Sequence, residues 1–145
     1  MIKTPSSQFY YLRSLDAFVF EEMVLTSLKR KGYIIVRNEG YTGDGGIDGR
    51  AYLNDQHYLI QSKRYSGSIH SKDIEEFGVI CKRRKGKGLF VHTGKTGDKA
   101  RQLASKHGII IISGTKLLEL LLTPVPEEAI ELSKIANACF NPSPL

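Results

Sequence analysis

The stretch Gly43 to Lys63, GDGGIDGRAYLNDQHYLIQSK, constrains the fold more than any other. Two runs suited to strands, Ile47–Leu53 and His57–Arg64, flank Asn54-Asp55, a pair that tolerates the left-handed backbone of a tight hairpin turn. A hairpin imposes an antiparallel pair, and the remaining elements must be arranged around it. Side chains alternate along a strand, so Gln61 and Lys63 share a face while Ser62 points away. Asp48 enters the first strand from a glycine-rich turn and can sit beside that face. An acid, a neutral oxygen donor and an ammonium then converge, a set that suits a hard cation next to a phosphate.

Around the hairpin the chain alternates between helical and strand patterns. Residues 1–14 mix polar and aromatic side chains and read as an arm. A helix is predicted from Ser14 or Asp16, either of which can cap it, to about Lys31, with Gly32 as its C-cap. Phe20, Val24 and Leu28 recur every four residues as its core stripe, and Glu21 lies at the edge of that stripe. On spacing alone Glu21 reads as an exposed helical glutamate. Tyr33–Val36 reads as a short strand and Gly40–Gly46 as a loop. A helix capped by Ser71 and running through about Arg84 follows the hairpin, with Asp73, Glu75 and Glu76 near its positive end. Leu89–Val91 is a buried strand, Asp98–His107 a helix, and Thr115–Leu122 a final helix capped by Thr115. The four isoleucines Ile109–Ile112 have the composition of a strand buried on both faces. This order gives an α/β fold with a central mixed β-sheet flanked by α-helices. Residues 15–122 form one domain, and residues 123–145 form a C-terminal extension with an added helix, Glu127–Ala138, and a tail.

Lys and Arg number 21 against 15 Asp and Glu, a net charge of +6, which favours an anionic partner such as nucleic acid. Lys82, Arg83, Arg84, Lys85 and Lys87 form a basic run that reads either as a solvated helix end or as a grip on a phosphate backbone. Lys95 and Arg64 are further candidate DNA contacts, and Tyr65 returns to the face of Gln61 and Lys63. Cys81 and Cys139 form no metal-binding spacing and point to a reducing, cytoplasmic compartment. No apolar run is long enough to span a membrane. Thr93-Gly94-Lys95-Thr96 imitates part of a nucleotide-binding loop, but five residues separate Gly88 from Gly94 where the Walker pattern needs four. The glycine loop with Asp44 and Asp48 lacks the ligand spacing of a calcium loop. His57, His70, His92 and His107 form no catalytic or metal grouping in sequence.

Phe20-Glu21, Gly32-Tyr33, Gly43-Asp44-Gly45-Gly46-Ile47-Asp48-Gly49 and Ile60-Gln61-Ser62-Lys63-Arg64-Tyr65, taken together, resemble the Mrr-type restriction endonuclease family within the PD-(D/E)xK nuclease superfamily. The resemblance continues through Phe77, Gly88-Leu89-Phe90-Val91-His92-Thr93, Ala100-Arg101, Ala104 and Ile112-Ser113-Gly114, and covers roughly Ala17 to Leu122. It implies a restriction-endonuclease-like fold and a metal-dependent endonuclease that cuts double-stranded DNA in defence against foreign DNA. The resemblance maps the catalytic acid onto Asp48, the middle position onto Gln61, the lysine onto Lys63 and the helix-borne acid onto Glu21, with Glu22 as its alternative. Asp48, Gln61 and Glu21 are thereby the expected ligands of Mg²⁺, for which Mn²⁺ is a possible substitute. Double-strand cleavage needs two active sites, which favours a homodimer, and the added helix from Glu127 is a candidate contact. A separate protein is a candidate for target recognition. The rival readings are a Holliday-junction-type resolvase, which shares this fold, and a non-catalytic DNA-binding or interaction module that keeps it.

Overall fold

The computed structural model describes residues 4–37 and 46–122. A five-stranded sheet has the order β1-β2-β3-β4-β5, formed by Ile34–Arg37 (β1), Gly49–Leu53 (β2), Gln56–Lys63 (β3), Lys87–His92 (β4) and Ile109–Ile112 (β5). The first three strands are antiparallel, and β3, β4 and β5 are parallel, so the expected mixed sheet is present. The hairpin turn falls on Asn54 and Asp55, whose φ angles of 50° and 65° are the paired left-handed values of a two-residue hairpin.

The helices are Pro5–Ser14 (α1), Ala17–Arg30 (α2), Ser71–Arg83 (α3), Asp98–His107 (α4) and Gly114–Leu122 (α5). One face of the sheet is covered by α1, α2 and α5. Phe20, Val24, Leu25, Leu28, Leu117 and Leu121 pack there on Ala51, Ile60, Leu89 and Val91. On the other face, Ile74, Phe77 and Cys81 of α3 and Ala100 and Ala104 of α4 pack on Leu59, Phe90 and Ile109. Within this second layer α3 and α4 come close together. A Cβ at Gly78 would lie 2.4 Å from the His107 ring, so only glycine lets α3 and α4 approach this closely.

Four expectations need correction. The arm at residues 1–14 contains helix α1. Thr4 caps it by accepting from the Ser7 N–H at 3.2 Å, Pro5 occupies its first turn, and Leu12 is buried in the core. The run Ile109–Ile112 is an edge strand, not a doubly buried one: Ile109 is 6% exposed and Ile110 45%. His70 holds the N-cap of α3 in place of Ser71, and no side chain caps that end. Helix α5 begins at Gly114, one residue before the expected Thr115 cap. The Gly40–Gly46 loop lies outside the described residues except for Gly46, and the Glu127–Ala138 helix lies wholly outside them.

Candidate active site

Helix α2 begins at Asp16, whose Oδ1 accepts from the Phe18 N–H at 2.9 Å. That cap, with Phe20, Val24, Leu25 and Leu28 buried, fixes the rotation of the helix. Glu21 then stands four and seven residues before Leu25 and Leu28, on the inward side, and its carboxyl is hydrogen-bonded to that of Asp48. Glu22 turns the other way and pairs with Arg37 of β1 at 3.1 Å. The structure therefore brings Glu21, not Glu22, to Asp48.

Asp48 sits one residue before β2, and its N–H donates to the Ile60 carbonyl at 2.8 Å. Its Oδ2 accepts from the Ser62 N–H at 2.6 Å, so the carboxylate continues the strand ladder where main chain would otherwise do so. Burial pushes the Asp48 carboxyl up to about 7, the nearby Glu21 charge adds to the rise, and the Ser62 N–H opposes it. Burial also raises Glu21. Two acids are thus held together in a place that disfavours their joint ionisation.

Gln61 is buried on β3, and Gly46 closes over its side-chain amide. Gly46 has a φ of +83°, and a Cβ there would meet Gln61 Nε2 at 2.4 Å. Any larger residue at position 46 would be strained by its own backbone and would displace the glutamine. Lys63 follows two residues along the strand. Its Nζ lies 3.7 Å from Oδ1 of Asp73, in the first turn of α3. The Tyr65 hydroxyl donates to the other Asp73 oxygen. A cavity of about 350 Å³ opens here, lined by Ala17, Phe20, Ser62, Lys63, Arg64, Tyr65 and Asp73.

Sequence reasoning assigned Asp73 only to the helix end and gave Arg13 and Thr93 no part in the site. Arg13 donates to the carbonyls of Tyr65 and Thr93, each at 2.8 Å. Thr93 Oγ1 accepts from the Tyr65 N–H at 2.9 Å and donates to its carbonyl at 3.0 Å. A topological signal points to Asp73: a helix that crosses over after a parallel strand starts at that strand's C-terminal end, which places its first-turn acid beside Lys63.

The basic candidates divide between the two ends of the sheet. In the β3–β4 register Tyr58 pairs with Lys87 and Lys63 with His92. Five residue steps, roughly 17 Å along the strand, therefore separate Lys87 from the site. Lys82, Arg83, Arg84 and Lys85 lead into Lys87 and are exposed near that far end. Lys95 lies at the site end. Its N–H donates to the Gly67 carbonyl and its carbonyl accepts from the Ile69 N–H, both at 2.9 Å. Arg64 donates to the carbonyls of Arg13 and Leu15 and so ties α1 to the exit of β3.

The chemistry of the donor set fits a divalent cation. Glu21 and Asp48 are hard oxygen donors, with Arg64 only weakly offsetting the charge of Glu21, and Gln61 can add a neutral oxygen. Among the described residues no group of three or more His, Cys, Asp and Glu side chains gathers as a metal cage. Two carboxylates match the habit of Mg²⁺, which keeps waters and takes oxygens from a phosphate substrate. Also among the described residues, no helix is long and apolar enough to cross a membrane.

A mixed sheet between helical layers, with two acids, a glutamine and a lysine about the exit of its central strand, defines a restriction-endonuclease-like fold. The family model Mrr_cat, described as restriction endonuclease, matches residues 12–121, and the chain belongs to that family. No curated protein matches the chain. A solved structure described as the protein of unknown function AF1548 is similar in fold, with a TM-score of 0.57 at 16% identity. The similarity covers 82% of this chain and 67% of that one.

Proposed function

We propose that this protein is a metal-dependent endonuclease that hydrolyses phosphodiester bonds in double-stranded DNA, using Mg²⁺ or, in its place, Mn²⁺. The observation that carries the reading is the Glu21–Asp48 carboxyl pair beside the exit of β3, the strand that bears Gln61 and Lys63. Glu21, Asp48 and Gln61 would hold the cation, which when bound supplies Lewis-acid polarisation of the phosphate and a more acidic water. Water adds to phosphorus, the bond to one ester oxygen breaks, and a phosphomonoester and a hydroxyl remain. Lys63 offsets the negative charge that builds on the phosphoryl oxygens and orients the attacking water. The Ser62 N–H fixes the Asp48 carboxylate, so the acid need not reorganise during the reaction. The basic net charge favours a polyanionic substrate. Action on both strands is supplied by a homodimer, in a role of defence against foreign DNA within the cytoplasm, with target choice left to a separate recognition protein.

Methylated and unmethylated plasmid, linear duplex and a four-way junction, each with Mg²⁺ or Mn²⁺, test this reading. Wild type is expected to cut duplex DNA with either metal and not in EDTA. Asp48→Asn, Glu21→Gln and Lys63→Ala are expected to lower the rate at least a hundredfold. Asp48→Asn should keep or raise the melting temperature without metal, because it removes one of two neighbouring, partly buried acids. Cleavage that survives in both Asp48→Asn and Lys63→Ala would overturn the site. Cutting of the junction alone would favour the resolvase, and binding of DNA without cutting under any condition would favour the non-catalytic module.

A further inference from the structure

We infer that Asp73, held by Tyr65, is a positioning residue for the Lys63 ammonium, an inference that rests on the nuclease reading of Lys63 above. A lysine carries its charge on a flexible four-carbon stem, and the Lys63 side chain is 37% exposed. Such a group acts on a phosphate at a defined point only if a fixed counter-charge holds it there. Asp73 is more enclosed, at 20%, and its Oδ1 lies 3.7 Å from Lys63 Nζ. Its other oxygen is occupied by the Tyr65 hydroxyl, so the carboxylate cannot swing freely.

Tyr65 is itself clamped. Its main chain is bound to Thr93 and Arg13, and its ring packs edge-on against His70 and His92. The rigid order thus runs from Thr93 and Arg13 through Tyr65 and Asp73 to Lys63, and it ends in the cavity at the exit of β3. Stability does not account for the acid, because a half-exposed ion pair adds little to it. Affinity for DNA does not account for it either, since a carboxylate beside a phosphate-binding lysine repels the backbone. Placement of the ammonium is the remaining use, and it trades substrate affinity for rate.

Asp73→Asn keeps the side-chain shape and removes the charge. The expected result is a fall in kcat of about tenfold, with DNA affinity, read by fluorescence anisotropy, unchanged or tighter and the melting temperature little moved. Tyr65→Phe keeps the ring packing and frees Asp73, so kcat should fall several-fold in the same direction. In a Lys63→Ala background, Asp73→Asn should change the residual rate less than twofold, because the group it positions is gone. An Asp73→Asn protein with wild-type kcat, or one that loses rate equally in the Lys63→Ala background, overturns the positioning role and leaves the nuclease reading standing. A wild-type protein that cuts no DNA overturns that reading and this inference with it.

Discussion

At the residue scale the clearest consequence concerns His92, which is fully buried at the end of β4. The Gly94 N–H donates to Nδ1 at 3.0 Å, which leaves the proton on Nε2, 2.9 Å from Thr96 Oγ1. Burial holds the imidazole down to about 4, from an ordinary 6.5. Between those values the unfolded chain binds a proton that the folded chain refuses. The stability of a neutral His92 is therefore fully present above about pH 6.5, declines as the pH falls, and is lost below about pH 4. The span corresponds to about 3 kcal/mol. Asp48, raised toward 7, titrates with the opposite sign across the same range, so Asp48→Asn is the background in which to measure. Urea unfolding of that variant at steps from pH 7.5 to 4 should show the decline, and histidine NMR should show His92 neutral above about pH 5. A His92 resonance that titrates near 6.5 would refute the assignment. Much of the candidate site was legible at this scale: Asp48, Gln61 and Lys63 are named by hairpin register and strand alternation. Glu21 was only half legible, because its approach to Asp48 depends on the rotation of α2, which Leu25 settles as well as Phe20. Asp73 was not legible from local pattern, since its partner Lys63 is ten residues away across a crossover.

At the element scale, the hairpin that organises the sheet is joined by a turn that is not optimal. Asn54 and Asp55 both lie in the left-handed region, at φ 50° and 65°. Asparagine is well suited to the first of these positions and glycine to the second, where an aspartate is strained by its Cβ. Both residues are exposed, far along the strands from Gln61 and Lys63. Asp55→Gly is expected to stabilise the protein by about 0.5–1 kcal/mol, seen as a rise of roughly 1–4 °C in melting temperature, without loss of cleavage. A lower melting temperature would mean that the Asp55 side chain contributes more than its backbone costs. Elements with strong periodicity, α2 and α4, and the β2–β3 hairpin were read to within a residue or two. Helix α1 was missed because it is short and weakly amphipathic. Its stability comes from the Thr4 cap, Leu12 in the core and the long-range bonds of Arg13, none of which forms a local pattern. The burial of β5 was misjudged for a related reason: four isoleucines state a preference for a strand, but whether that strand is central or at the edge is a property of the whole sheet.

At the scale of the whole molecule, the parallel half of the sheet gives the protein two unlike ends. At one end are the exits of β3 and β4, the Glu21–Asp48 pair, Lys63 and Lys95, together with the positive N-terminal end of α3. At the other are Lys82, Arg83, Arg84, Lys85 and Lys87, where α3 ends and β4 begins. Sequence alone ranks the second group higher, as the denser basic run. Topology ranks Lys95 higher, because its loop is bonded at Gly67 and Ile69 to the segment that follows Lys63. A lysine near the reacting phosphate should contribute a full phosphate contact, whereas lysines and arginines roughly 17 Å further along the strand should contribute less. Binding of a short linear duplex by the Asp48→Asn protein, measured by anisotropy over a series of salt concentrations, separates the two. Lys95→Gln is expected to weaken binding about fivefold and to reduce the slope of log K against log salt by about one. Lys82→Gln should stay within twofold and leave the slope nearly unchanged. If Lys82→Gln has the larger effect, the duplex lies across the far end of the sheet, and the basic run is the principal DNA contact that its composition first indicated.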